Sequence, residues 1–329
     1  MMRGPGPYTP PRGGGRVRAL RSLLGAAALL LAGFGLVWLS RVPPPWPVLA
    51  AAEAPSPPDV RVDFLAVGRG HSVLVRAGST AVLIDGGAPE AGQPLVDWLQ
   101  AQGVDRLTDV VVTSPTDEAT GGLIPVLESL PVGRLLDGGW AADCALYRSL
   151  LAVAAHRAIP VQRMAQGGAV DLAPGVALHV LLPQAGPPPP ASDSLVLRLV
   201  AGGVAMLLPG EMGAAQEAQL LRASGGQLHA QVLEVPRHGG PGSVGAGLIE
   251  SVRPTVAVVE VPEGDPSLPD VAAMGRLAAA GVAVLRSDLH GSVAVTTDGT
   301  HLDIRLEPSP NPAAFEPGVA PVLSCTQGA

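Results

Sequence analysis

The sequence predicts an α/β protein with two sheets, preceded by one membrane-spanning helix. Between residues 60 and 305, short apolar runs alternate with longer Ala/Leu-rich stretches, which is typical of layered α/β folds. Two segments share one pattern of strand, turn, strand, then an acid beside a glycine: SVLVRAGSTAVLIDGG (72–87) and SLVLRLVAGGVAMLLPGE (194–211). Two such hairpins suggest a fold built from two related halves.

The third observation is an apolar segment near the N-terminus. Residues 22–40, SLLGAAALLLAGFGLVWLS, are uncharged and span roughly 28 Å as a helix, which matches a bilayer core. Six arginines and no acid lie in residues 1–41, so the positive-inside rule places the N-terminus in the cytoplasm and the rest outside. A cleavable signal peptide with an A-x-A site at 50–52 is the alternative.

This segment sets the predicted domain organisation. Residues 42–59 are rich in proline and alanine and read as a semi-rigid spacer, whereas the Pro-rich C-terminal end lacks any periodic pattern. The predicted parts are a cytoplasmic Arg-rich tail (1–21), a transmembrane anchor (22–40), a linker (41–59), a folded domain (60–306) and a disordered tail (307–329).

Charge is divided unevenly along the chain. Six of the 21 basic residues precede residue 42, which leaves 15 against all 28 acids in the exported part. Such an acidic body repels phosphate backbones, so nucleic acid is an unlikely partner on charge alone. The chain also has no lysine, which excludes a P-loop.

Within the folded domain, the apolar pattern predicts each element in turn. Strands fall on β-branched apolar runs, and helices fall on the Ala/Leu-rich stretches between them. Besides the two hairpins, the predicted strands are 60–67, 109–113, 176–182, 232–235, 256–260, 282–285 and 293–297. The predicted helices are 94–102, 121–130, 144–158, 212–224, 244–252 and 268–280.

The ends of these strands carry polar residues. Asp85 and Glu211 close the two hairpins, and VVVTSPTDEATGG (110–122) places a polar cluster between a strand and a glycine pair. Because α/β sites commonly form at the carboxyl edge of a sheet, these positions predict the site. The hydroxyls of Ser114 and Thr116 are expected to satisfy backbone groups, and Thr116, Asp117 or Glu118 to cap the helix that follows.

The order of the motifs resembles the metallo-β-lactamase fold. The blocks are DFLAVGRGHSVLV, TAVLIDGG, VVVTSPTDEATGGL, SLVLRL with LLPGE, VLEVPRHGG, and LRSDLHGSVAVTTDG. Together they are most similar to the C-terminal extracytoplasmic domain of ComEC-type competence proteins. This resemblance implies a four-layer αββα sandwich in which two metal ions activate a water for hydrolysis.

The family's ligand motif, H-x-H-x-D-H, is altered where it falls on this chain. Its first histidine matches Ser114, its second Thr116, its aspartate Glu118 and its third histidine Ala119, with Asp117 between them. A later aspartate matches Glu211, and a histidine pair matches Arg237 and His238. The cleft positions that match the family site are therefore Ser114, Thr116, Asp117, Glu118, Ala119, Glu211, Arg237 and His238.

These substitutions predict that the family's zinc pair is not held. Glu118, Glu211 and His238 remain as candidates for catalysis or for a weak divalent site that takes Mg²⁺ or Mn²⁺. Without a cation, facing carboxylates need a basic partner, and Arg237 is the expected one. His71, in GRGHS, is expected to be a solvent-facing turn residue, and the alternative is that it lines the cleft.

The predicted function is a non-catalytic binding or assembly role in a single-pass protein of the cell membrane. The partner would be an unidentified envelope protein or a small ligand. The alternative is a metal-dependent hydrolase, similar to a phosphodiesterase or nuclease, that uses the reduced carboxylate and histidine site.

Overall fold

The computed structural model describes residues 59–141, 144–224, 227–262, 265–310 and 323–325. The predicted anchor and most of the linker lie outside these residues. Among the helices that are described, none combines the length and hydropathy needed to cross a bilayer. The described chain forms two mixed β-sheets with helices packed against them.

The first sheet contains nine strands in the order β16-β15-β14-β1-β2-β3-β4-β5-β6. Strands β1 to β3 and β14 to β16 pair antiparallel, whereas β3 to β6 are parallel. The strands are β1 (Val60–Phe64), β2 (Val73–Ala77), β3 (Thr80–Ile84), β4 (Leu107–Val111), β5 (Val132–Asp137), β6 (Val161–Arg163), β14 (Ser292–Thr297), β15 (Leu302–Glu307) and β16 (Leu323–Cys325).

The second sheet contains seven strands in the order β13-β12-β11-β10-β9-β8-β7. Strands β7 to β10 are antiparallel, and β10 to β13 are parallel. The strands are β7 (Ala169–Ala173), β8 (Val176–Leu182), β9 (Val196–Ala201), β10 (Val204–Leu208), β11 (Val232–Glu234), β12 (Val256–Val259) and β13 (Ala283–Arg286).

Helices connect the parallel strands of both sheets. Short 3₁₀ turns at Pro89–Ala91 and Pro236–Gly239 lie beside the strand ends. The helices are α1 (Gly92–Ala101), α2 (Asp117–Thr120), α3 (Leu123–Ser129), α4 (Ala145–His156), α5 (Ala214–Ala223), α6 (Ala246–Val252), α7 (Val271–Ala279) and α8 (Ser287–His290).

Successive side chains along a strand point to opposite faces of the sheet, and this alternation divides the core into two clusters. In β10, Met206 and Leu208 join a large cluster that contains residues of both sheets, so the sheets pack face to face. Leu207, between them, points the other way and packs in a second cluster with Leu220 of α5 and Leu248 of α6. The helices of the second half therefore cover the outer face of the second sheet.

The structure differs from the predicted elements at three places. Both hairpins form, but β5, β6, β7 and β15 are additional strands. The helix expected from residue 121 starts at Leu123, after the separate turn α2. In the segment predicted as a disordered tail, β16 pairs with β15, whose outer edge otherwise leaves its backbone N–H and C=O groups unpaired.

Candidate functional site

The site lies where the carboxyl ends of parallel strands from both sheets meet. Asp85 follows β3, Glu211 follows β10, Glu234 ends β11 and Glu260 follows β12. The loop between β1 and β2 adds His71 to this group. Four acids and a histidine from distant parts of the sequence are thereby brought into one buried cluster.

His71 lies at the centre of this cluster. Its side chain is only 2% exposed, so the prediction of a solvent-facing turn residue is wrong. Nε2 lies 2.6 Å from Oε1 of Glu211, and Nδ1 lies 3.0 Å from Oε2 of Glu260. Oε1 of Glu234 is 3.6 Å from the same Nδ1. Carboxylates therefore contact both ring nitrogens, which is the hydrogen-bonding pattern of an imidazolium.

The carboxylates set the charge of this imidazole. Burial opposes the charged form, but the hydrogen bonds to Glu211, Glu234 and Glu260 outweigh it and hold the pKa of His71 well above its usual value. In return, and despite its burial, the pKa of Glu211 falls to about 2, mainly because of its hydrogen bond to His71. His71 and Glu211, whose side chain is 22% exposed, thus form a partly buried ion pair.

Glu234 and Glu260 share a hydrogen bond, and their pKa values are shifted in opposite directions. Burial, together with repulsion from Glu234, raises the pKa of Glu260 to about 8. Although burial also disfavours ionisation of Glu234, contacts with His71 hold its pKa below the usual value. At neutral pH, Glu260 therefore keeps its proton and Glu234 is ionised.

His238 stacks on His71, with ring centroids 4.2 Å apart and planes inclined by 15°. Burial and the charge on His71 lower the pKa of His238 to about 4, so this imidazole is neutral at neutral pH. Nδ1 lies 2.7 Å from the backbone oxygen of Glu260 and donates its hydrogen there. Nε2 then carries a lone pair 3.3 Å from Oε1 of Glu211, and this contact is not an ion pair.

The turn that presents His238 is strained. Arg237 and His238 both adopt left-handed backbone angles, with φ of 53° and 55°. Such angles are uncommon outside glycine and cost on the order of 1 kcal/mol or more each. Strain of this kind is concentrated at functional sites. Here it points the two adjacent side chains towards different cavities.

The loop after β4 holds the positions that match the family's ligand motif. Ser114 is buried, and its hydroxyl lies 2.8 Å from the hydroxyl of Thr116, so these groups bond each other. Thr116 is the residue before α2, but no side chain caps that helix, contrary to the sequence prediction. Asp117 is exposed and accepts a hydrogen bond from Cys144, and Ala119 is buried.

Glu118 is held apart from the buried cluster by Arg69. The Nη2 of Arg69 lies 2.6 Å from Oε1 of Glu118, and this pair is open to solvent. The same two loops touch through their backbones at Gly70, where φ is 104°. A Cβ at Gly70 would lie 2.0 Å from the carbonyl oxygen of Glu118, so only glycine allows this approach.

Six of the eight predicted site residues line two cavities, and Glu211 lines both. A cavity of about 250 Å³ is lined by Glu211, His238 and Glu118, among others. A second cavity of about 410 Å³ is lined by Ser114, Thr116, Arg237 and Glu211, among others. The ion pair expected between Glu211 and Arg237 is replaced by the one with His71, and Arg237 acts on Glu211 only through its charge.

Glu234 and Glu260 were missed by the sequence analysis, although a signal exists. VLEVP and VVEVP place each acid at the end of an apolar run, followed by valine and proline. A charged residue at the end of a buried parallel strand needs a hydrogen-bonding or charged partner. Because the same pattern occurs on two strands, the two acids are expected to lie in one site.

Two groups of donor atoms in this cluster are close enough to surround a metal ion. One is His71, Glu211 and His238, and the other is His71, Glu234 and Glu260, with donor atoms within 4.8 Å of one another in each group. His71 belongs to both groups. Its two nitrogens are, however, those already bonded to carboxylates.

Comparisons with known proteins find that the chain is similar to competence proteins. It is 31% identical over 262 residues to the competence protein ComA of Neisseria gonorrhoeae, covering 76% of this chain and 35% of that protein. It is 26% identical over 254 residues to the ComE operon protein 3 of Bacillus subtilis (strain 168), covering 70% of this chain and 32% of that protein. The chain thus spans about a third of the length of these relatives. No protein-family model matches it.

Solved structures of similar architecture share little sequence with the chain. The metallo-β-lactamase fold protein YhfI from Bacillus subtilis has a TM-score of 0.46 at 10% identity, covering 69% of this chain and 95% of that one. Zn²⁺-bound PqqB from Methylobacterium extorquens has a TM-score of 0.45 at 13% identity, covering 68% and 97%. CmlA, a diiron β-hydroxylase from Streptomyces venezuelae, has a TM-score of 0.49 at 14% identity, covering 74% and 55%.

Two facing mixed sheets with a polar cluster at their carboxyl edges define the class of the chain as a layered α/β fold. Within that class, the sequence relatives are competence proteins, and the match covers most of the described chain. The chain is therefore similar in sequence to about a third of these competence proteins.

Proposed function

We propose that this protein uses its metallo-β-lactamase fold for binding or assembly rather than for catalysis. The observation that carries the proposal is the position of His71, whose two ring nitrogens are contacted by Glu211, Glu234 and Glu260. The raised pKa of His71 gives this ring a positive charge, which offsets the repulsion between the ionised Glu211 and Glu234 that a metal ion would otherwise relieve. Side-chain contacts of His71 with these glutamates can then hold the two sheet edges together without a metal ion.

The family's zinc pair does not fit the residues at the matched positions. Zinc sites of this kind depend on imidazole, carboxylate or thiolate donors. Ala119 has no donor, and the hydroxyls of Ser114 and Thr116 bond each other. Glu118 is neutralised by Arg69, which leaves His238 as the one imidazole in the set. Loss of the zinc ligands is therefore part of the proposal.

The proposal includes the location of the domain. The arginine-rich segment before residues 22–40 supports a single anchor in the cell membrane with the folded domain outside. The acidic balance of the exported part disfavours nucleic acid and favours an envelope protein or a small ligand. The cavity that contains Arg237 offers a surface for such a partner.

A reduced metallo-hydrolase is the second candidate. The observation that favours it is the set of donors from His71, Glu211 and His238, which lie within 4.8 Å of one another. The free lone pair on Nε2 of His238 faces Glu211. Glu118, in the same small cavity, is the remaining candidate for catalysis.

Metal content and hydrolysis separate the two functions. The full-length chain, purified in detergent without chelator, is analysed for bound metals and then assayed for phosphodiesterase activity with added Mn²⁺ or Zn²⁺. We expect no stoichiometric metal and no turnover above that of a Glu211→Gln variant. Tightly bound metal at two equivalents per chain would overturn the proposal. Activity that is lost in Glu211→Gln, but kept in the exposed control Glu128→Gln, would establish the hydrolase instead.

A further inference from the structure

A third cavity, away from the cleft, lies on the outer face of the second sheet. Its volume is about 370 Å³, and it lies between β8, β9, the turn before β7 and the C-terminal end of α5. Its polar lining residues are Gln166, His179, Arg198, Ser224 and Gln227. Neither aspartate nor glutamate is among its described lining residues, although acids exceed basic residues in the chain as a whole.

Arg198 gives this cavity an uncompensated positive charge. Its Nη2 donates to the backbone oxygen of His229 at 2.8 Å, and its buried Nε has no hydrogen-bond partner. Burial alone lowers the pKa of Arg198, and within the described chain no carboxylate contacts it. By contrast, Arg61 and Arg134 bond carboxylates at 2.8 and 2.6 Å.

His179 adds a second nitrogen-bearing side chain beside Arg198. The two residues are directly opposite each other on the antiparallel strands β8 and β9, so their Cβ atoms are roughly 5 Å apart on one face. His179 is exposed, and the amide side chains of Gln166 and Gln227 line the same space. The ring N–H of His179 and the guanidinium of Arg198 can therefore donate to one anion from neighbouring strands.

We propose that this cavity binds a small solute through an oxyanion, either a carboxylate or a phosphate group. Guanidinium groups bind both anions through charge-assisted hydrogen bonds. A volume of about 370 Å³ is within the range of small-molecule sites. The glutamine amides can contact the polar body of the solute. The site shares none of its lining residues with the cleft and does not depend on the function proposed there.

Titration of the full-length chain with two probes tests the site. Inorganic phosphate and succinate are added separately, and binding is followed by calorimetry and by the NMR signals of the arginine side chains. We expect a Kd on the order of 1 mM for the preferred probe. Binding of phosphate alone identifies a phosphorylated solute, and binding of succinate alone identifies a carboxylate.

Variants localise that binding. Arg198→Gln is expected to weaken it about tenfold or more, because it removes charge-assisted hydrogen bonds to the anion. His179→Gln weakens it less, and Arg305→Gln on β15, an exposed arginine of the other sheet, leaves it unchanged. Absence of binding by both probes well above the millimolar range would overturn the proposal, as would equal binding by Arg198→Gln. Thermal unfolding of each variant shows whether it is folded, and Arg198→Lys replaces Arg198→Gln if it is not.

Discussion

Replacement of His71 by glutamine removes the charge at the centre of the buried cluster. Glutamine has a similar reach and can donate to one carboxylate, but it is neutral and cannot bond Glu211 and Glu260 from opposite sides as the ring does. Glu211 and Glu234 are then left as ionised groups without their main partner. We therefore expect a large loss of stability at neutral pH.

The magnitude follows from the burial of this pair. Removal of one partner from a buried ion pair costs about 3–5 kcal/mol, because the remaining charge is uncompensated. For a domain of this size, each kcal/mol lowers Tm by about 2–4 °C, so the expected decrease is roughly 6–20 °C. The exposed His156→Gln on α4 is the matched control and should change stability by no more than about 0.5 kcal/mol.

Thermal and denaturant unfolding of the full-length chain measure this effect. A second variant, His71→Gln with Glu211→Gln, should recover part of the loss, since it removes one of the unpaired charges. Independently, ¹⁵N NMR of the His71 ring should show both nitrogens protonated at neutral pH. The reasoning is refuted if His71→Gln is as stable as His156→Gln, or if the His71 ring is neutral at pH 7.

Four further predictions come from the same region. The free energy of unfolding should be greatest near pH 5. His71, whose pKa is raised, contributes fully below about pH 6.5, and its contribution is lost as the pH rises through its folded-state pKa. Glu211, with a pKa of about 2, loses its contribution as the pH falls below about 4.5. Because Glu260 has a pKa of about 8, its ionisation also lowers the free energy of unfolding as the pH rises towards 8, by up to about 1.4 kcal/mol per pH unit. Glu260→Gln should therefore make the free energy of unfolding depend less on pH in this range. Gly70→Ala should lower the free energy of unfolding by more than about 2 kcal/mol, because the added Cβ would collide with a backbone oxygen at a position of positive φ. A change below about 0.5 kcal/mol, as is usual for surface substitutions, would contradict this contact. Glu118→Gln removes only a solvent-exposed ion pair and should change the unfolding free energy by at most about 1 kcal/mol, so a larger loss would mean that Glu118 belongs to the buried cluster.

The two hairpins could be predicted because their signals are local. In each, an apolar run stops at a turn sequence with glycine and resumes after it, as in Ala77 to Thr80. Strand β6 has no such signal, because all of its residues are exposed and only three pair with β5. The short β16 depends on the free edge of β15, which is a property of the assembled sheet.

The site was only partly predictable, for the same reason. Glu211 and His238 were found because they follow strands at positions matched by the family motif. The burial of His71 depends on contacts with Glu211 and Glu260, which are 140 and 189 residues away in sequence. A turn histidine looks the same in sequence whether or not another loop covers it. The acids Glu234 and Glu260 were visible as interruptions of apolar runs, but only the fold shows that they face one histidine.

The protons held in the cluster have a consequence for any divalent ion that enters it. A metal ion bound by His71 must displace a proton from the ring, and one bound by Glu260 must displace the proton that this acid keeps up to about pH 8. Ion uptake would therefore be an exchange reaction, and the apparent affinity would fall about tenfold per pH unit of acidification for each proton released. At acidic pH, the cluster would hold protons in preference to metals.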